Sequence, residues 1–317
     1  MPLSTPWSQG TGLRLPILNA PMGGVAGGRL AAAVTAAGGL GMIGMGSTAT
    51  AASLATELAA LGDVPRFGIG LVDWVIRDRP DLLEAALAAR PTLLSVSFGA
   101  DLSWVQRAHA AGILAATQVY DPETARRARD AGLDVLVARG AEGGGHGEIR
   151  LATLPLLDAV LDTVEVPVLA AGGIAGPRSL AAVLAAGAAG AWLGTVLSAC
   201  PEALTGDSAR NALIAAAGTD TMTTRVFDVG QRLHWPARFP SRVLRNDFAG
   251  RWTGREDALA GDREAGAELA AGIATGDQRV APVDAGQGVG MLTGSRPVAV
   301  VLDELCSGAQ RLLSRWN

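Results

Sequence analysis

Lysine is absent from this 317-residue chain, so every basic side chain is an arginine. That absence excludes a Schiff-base aldolase, which needs a lysine amine. Cysteine is nearly absent. Cys200 and Cys306 are too few and too far apart for a disulfide framework or a zinc site. They read as small buried hydrophobes of a reduced, cytosolic protein. No dense basic run occurs and the net charge is −4, which argues against a nucleic-acid groove. No uninterrupted apolar run reaches about 18 residues, so no membrane-spanning helix is expected. The start, Met1 to Ser8, lacks the basic and apolar regions of a secretory signal. Metal ligation is poorly supported, because no second His or Cys stands at a ligand spacing from His146.

What is present is apolar and periodic. Hydrophobic residues make up 49% of the chain, and much of that is alanine, which favours close helix packing. Short apolar runs at 15–20, 40–44, 66–72, 92–97, 113–118, 134–138, 166–170 and 189–193 read as eight strands. Helical segments lie between them at 29–37, 51–61, 80–89, 101–111, 122–132, 153–162 and 177–187. Asp121 caps one helix with Pro122 in its first turn. Strands that read as continuous apolar runs belong to a parallel sheet buried on both faces. The count and order predict an α/β fold, a (β/α)8 TIM barrel. The alternation stops near residue 203. The expected division is a barrel over 1–202, a smaller, mostly helical second domain over 203–290 that covers the mouth, and a terminal segment over 291–317. In the second region, Arg225–Asp228 and Trp235–Pro240 read as extended connections and 262–274 as a helix. A last amphipathic helix, Val298–Trp316, packs back on the barrel.

In such barrels the functional face lies at the carboxyl ends of the strands, with phosphate often bound after strands seven and eight. Gly172-Gly173 and Gly194-Thr195 fall on those two loops. Glycine lets backbone N–H groups approach phosphate oxygens, and the following helix adds favourable potential. His146 follows strand six among Gly143, Gly144, Gly145 and Gly147. An imidazole there can take a proton from a carbon acid or, when protonated, hold an anion. Glu142 and Glu148 flank the turn as solvated carboxylates, either of which can orient the ring. Gln118 ends strand five with a donor and an acceptor suited to a flavin edge. Met22, after strand one, can pack its sulfur on a planar ring. His109 and His234 read as structural or solvated.

At these residues the chain resembles the nitronate monooxygenase family, formerly the 2-nitropropane dioxygenases. The matching stretches are Asn19–Val25, Ala36–Gly41, Gly140–Gly147, Pro167–Ala175 and Gly190–Thr195, followed by Pro236–Arg238, Leu244–Asn246 and Ala285–Gly288. The resemblance implies an FMN enzyme that oxidises alkyl nitronates or nitroalkanes with O2 and needs no metal. It implies phosphate at Gly172, Gly173, Gly194 and Thr195, and the isoalloxazine beside Ala20, Pro21 and Met22. Gly70, Gln118, Gly144 and Gly145 complete the expected cofactor site, with His146 as the catalytic residue facing a small-molecule substrate. A homodimer is compatible with it. The chain departs from the family where an asparagine often follows strand three, since Gly70 stands there. The aromatic and lysine residues that shape the pocket of some members have no evident match. Two other readings stay open: a flavin-dependent enoyl-thioester reductase that uses NAD(P)H, and a phosphate-binding barrel enzyme without flavin.

Overall fold

The computed structural model describes residues 3–315. Eleven strands follow in chain order: β1 (Ile17–Asn19), β2 (Met42–Gly44), β3 (Gly68–Val72), β4 (Leu93–Ser97), β5 (Leu114–Val119), β6 (Val135–Arg139), β7 (Gly145–His146), β8 (Val168–Ala171), β9 (Gly190–Leu193), β10 (Thr221–Thr224) and β11 (Ser241–Leu244). Eight of them form one parallel sheet in the order β1-β9-β8-β6-β5-β4-β3-β2. The ring closes between β1 and β2 through a single bridge, Leu18 to Leu40.

Asn19 extends that short seam. Its side chain accepts from the Met42 amide at 2.6 Å and donates to the Met42 carbonyl at 2.8 Å. A fully buried amide thus replaces the backbone ladder where two three-residue strands are too short to supply one.

Period-two alternation sorts the core. Leu18, Met42, Leu93, Val135, Val137, Leu169 and Trp192 fill the barrel interior. Their chain neighbours Ile17, Ile43, Leu94, Leu136, Val168 and Leu193 pack against the surrounding helices. Both faces of the sheet are therefore dry, as a parallel barrel requires. The last helix, Val298–Leu313, lies against the helices Gly28–Ala37 and Pro177–Ala185. It occupies the outer-ring position next to β9, where the chain's own β9 connection supplies only the short helix Thr195–Ser198. Cys306 on this helix and Cys200 are both buried, and burial pushes both thiols up to about 12.

The sequence expectations need correction in four places. Asp73–Asp78 forms a helix of its own before Pro80–Ala88. The helix expected over 101–111 begins only at Trp104. Val226–Gly230 is helical, not extended. The region after residue 203 holds helices at 207–215, 226–230, 247–252, 256–261 and 263–275, but also an antiparallel sheet. Its order is β10-β11-β7, so one of its strands is the glycine-histidine segment of the barrel. The expected end of the last helix at Trp316 and the reading of Met1 and Pro2 lie outside the described residues. No helix among the described residues is long and apolar enough to cross a membrane.

Replacing Asn19 with Leu leaves both polar groups of Met42 unmet in a buried seam. The expected loss is about 2–4 kcal/mol, read as a lower urea midpoint. An unchanged midpoint would mean that the backbone bridge alone closes the barrel.

Candidate active site

The same alternation decides which side chains reach the mouth. Leu18, Ala116, Val137 and Trp192 point inward, so Ala20, Gln118, Arg139 and Gly194, two residues further on, face the same interior at the carboxyl ends. Pro21 packs against Gly70, where an added Cβ would lie 2.2 Å from the proline Cγ. An asparagine at this position would have to displace that ring. The Met22 sulfur accepts from Ser198 Oγ at 3.2 Å and lies over Gly194. The Gln118 Oε1 accepts from the Tyr120 hydroxyl at 3.0 Å.

β8 and β9 are neighbours, with Ala171 paired to Trp192, so the Gly172-Gly173 and Gly194-Thr195 loops lie side by side. Gly172 continues the β8–β9 ladder toward Trp192, whereas the amides of Gly173, Gly194 and Thr195 donate in none of the backbone bonds among the described residues. Gly172 holds φ +111°, and a Cβ on it would lie 2.8 Å from Thr153 Oγ1. That position excludes a side chain on both counts. The helix Pro177–Ala185 begins just beyond and adds the positive end of its dipole. Thr195 Oγ1 accepts from the Gly286 amide at 2.9 Å, leaving its hydrogen to donate. Unpaired amides on two adjacent loops, ahead of a helix N-terminus, fit a terminal phosphate.

Arg139 shapes the loop that carries His146. Its buried Nη2 donates to the carbonyls of Gly143, Gly144 and Gly145 at 2.8, 3.2 and 2.9 Å. Burial presses its pKa down, and Asp284 and Glu142 are among the groups that press it back. Gly144 packs against Gly286, where a Cβ would come within 2.5 Å of the Gly286 amide. Glu142 accepts from the Thr153 amide at 2.7 Å and from the Thr153 hydroxyl.

His146 then pairs with Ser241 in the small sheet. Its Nε2 lies 2.9 Å from Asp228 Oδ1, and the carboxylate is buried. The Trp235 ring lies flat on the imidazole, with centroids 3.6 Å apart and 6° between the planes. A carboxylate on Nε2 fixes the tautomer, so Nδ1 is the nitrogen left to exchange a proton with a substrate. Asp284, nearby and open to solvent, accepts from Ser241 Oγ at 2.7 Å.

A family model described as nitronate monooxygenase matches residues 76–308. The chain belongs to the nitronate monooxygenase family. It is 33% identical over 259 residues to an octahydroindene-carboxyl-CoA dehydrogenase of Rhodococcus jostii, covering 78% of this chain and 67% of that protein. Among solved structures, FabK from Thermotoga maritima superposes with a TM-score of 0.85 at 25% identity, over 99% of this chain and 98% of the other. The nitroalkane oxidase of Streptomyces ansochromogenes gives 0.81 at 29% identity, over 96% and 98%. This member of the nitronate monooxygenase family is thus an oxidoreductase of the flavin-dependent barrel type.

The structure lines Gly144, Gly145, His146, Gly172, Gly173, Gly194 and Thr195 along the rim over β6, β8 and β9, and the rim runs on directly into Ala20 and Met22, which abut Gly194, and then Pro21 against Gly70. Gln118 stands on β5, next to β6. The acids flanking His146 do not orient it. Glu142 is spent on Thr153, and Glu148 is buried and paired with Arg150 at 2.6 Å, so it is not a solvated carboxylate. Asp228 takes the orienting place. Sequence reading missed Asp228, Trp235 and Arg139. The one available signal was Arg139 itself, a charge ending an otherwise apolar strand. His109 is held by Asp134 at 2.9 Å, and His234 tilts against Trp74.

Proposed function

We propose that this enzyme binds FMN and oxidises alkyl nitronates or closely related small carbon acids with O2. The observation that carries this reading is the pairing of unpaired amides after β8 and β9 with an oriented imidazole after β6, on the same rim. The amides of Gly173, Gly194 and Thr195, beside Gly172, would hold the phosphate, and Ala20, Pro21 and Met22 would flank the ring system with Gly70 and Gln118 at its edge. FMN, when bound, supplies the redox chemistry. The chain's residues do the rest. His146 Nδ1 takes a proton from a neutral nitroalkane or, when protonated, donates to the oxygen of a bound nitronate. Asp228 holds the ring and balances an imidazolium. Trp235 shields one face of the imidazole from water. In this reading residues 203–290 serve as a mixed helix-and-sheet cover for the mouth, and the enzyme works in the cytosol. The named activity of the Streptomyces relative supports nitro compounds as substrates.

A second reading follows from the Rhodococcus relative, whose name specifies a CoA thioester. It makes the chain a flavin enzyme of acyl thioesters that exchanges electrons with NAD(P)H. NAD(P)H consumption with an enoyl thioester, without O2 uptake on nitronates, would favour it.

The purified protein should be yellow and release FMN on denaturation, and it should consume O2 with propyl nitronate. A colourless protein that cannot be reconstituted with FMN would overturn the proposal. His146→Asn should retain flavin and lose roughly 10²–10⁴-fold in kcat/KM on a neutral nitroalkane. Asp228→Asn should also retain flavin and lose turnover, because the amide no longer fixes the tautomer. Full activity in both variants would remove the pair from the mechanism.

A further inference from the structure

Aromatic side chains are scarce here, at seven Trp, five Phe and one Tyr in the whole chain, yet five of them converge beside His146. Trp235 lies on the imidazole. Trp74 meets Trp235 edge-on at 5.5 Å, and Phe98 meets it at 5.0 Å. Phe239 closes on Phe98 at 5.5 Å and Tyr120 on Phe239 at 5.8 Å. Trp74, Phe98 and Tyr120 follow β3, β4 and β5, and the other two precede β11. Phe98 holds φ +71° to take its place, a left-handed conformation that is costly for a bulky residue.

Trp74, Phe98 and Trp235 are only half-buried, so the protein itself does not seal this wall. Beside Trp74 a groove of ≈ 350 Å³ opens along Val75, Leu233 and His234, with a polar rim of Ser47, Thr48, Asp78, Arg79 and Arg232. That size sits at the lower end of sites that take a drug-sized molecule, roughly 300–1,000 Å³.

We propose that the groove and the aromatic wall form a subsite for a ring-bearing substituent of the substrate, aryl or fused alicyclic. The reacting end lies at His146, and the ring lies against the half-buried faces of Trp74 and Trp235. This rests on the reading of His146 as the group that faces substrate. A short alkyl chain leaves the wall uncovered, so binding free energy grows with ring area.

The test compares phenylmethyl nitronate with ethyl nitronate on the flavin-loaded enzyme. Wild type should prefer the phenyl compound at least about tenfold in kcat/KM, with most of the difference in KM. Trp74→Ala should reduce the ratio toward unity, and Trp74→Phe should restore part of it. Turnover of both nitronates without preference overturns the subsite and leaves the proposed function standing. Turnover of neither overturns the nitronate reading alone, and the subsite is then decided by calorimetry with phenylacetate and acetate. Binding of phenylacetate about tenfold tighter, weakened in Trp74→Ala, upholds it. Equal affinities in wild type overturn it, whether or not the variants fold.

Discussion

The site depends on one buried cation. Arg139 ends β6 on the inner face of the barrel, where a guanidinium loses most of its hydration. It is tolerated because three consecutive glycine carbonyls turn to meet it. The bargain runs both ways, since carbonyls turned inward at the mouth of a dry barrel need a donor. A loop of glycines has too many conformations to place a neighbour by itself. Tied at three successive carbonyls, it delivers Gly145 and His146 as a short strand that pairs with β11. The position of the imidazole is therefore set by a charge that never touches it.

Through β7 the same loop joins the barrel to the small sheet of β10 and β11. His146 belongs to the barrel in sequence, but its orientation comes from Asp228, 82 positions later, and from Trp235. Asp228 lies in the one-turn helix Val226–Gly230, which follows directly from β10. Displacing the small sheet would move the carboxylate and the indole together. The chemistry is thus a property of the joint between the two parts, not of the barrel alone.

That division explains what could be read from the sequence. The barrel strands were legible because burial on both faces leaves uninterrupted apolar runs, and glycine or proline marks their ends. The cofactor loops were legible for the same reason, since a known strand number gives a known rim position. The small sheet was not. Thr221–Thr224 and Ser241–Leu244 are four residues each and carry no strong alternation, and their pairing with Gly145 and His146 is remote in sequence. Val226–Asp228 looked extended because valine and phenylalanine favour strands. Instead Thr224 Oγ1 accepts from the Val226 amide and starts a helical turn. Orienting the imidazole by Glu142 or Glu148 failed because nearness in sequence is a poor guide at a turn. Both carboxylates have closer obligations, to Thr153 and to Arg150.

The lack of lysine then acquires a structural meaning. A terminal phosphate is commonly held by cationic side chains, by backbone amides, or by both. Among the described residues the one cation buried at the end of an inner-face strand is committed to carbonyls, so what the loops after β8 and β9 offer an anion is N–H groups and a helix N-terminus. Those donors do not depend on side-chain identity, only on a backbone that can come close, which is why Gly172 must adopt φ +111° against Thr153. Charge folds the loop that carries the imidazole, and backbone dipoles on the neighbouring strands remain for the ligand. Because the two tasks use different atoms, a change at Arg139 should act on His146 and leave the amide pair in place, whereas a side chain at Gly172 should act on the anion first.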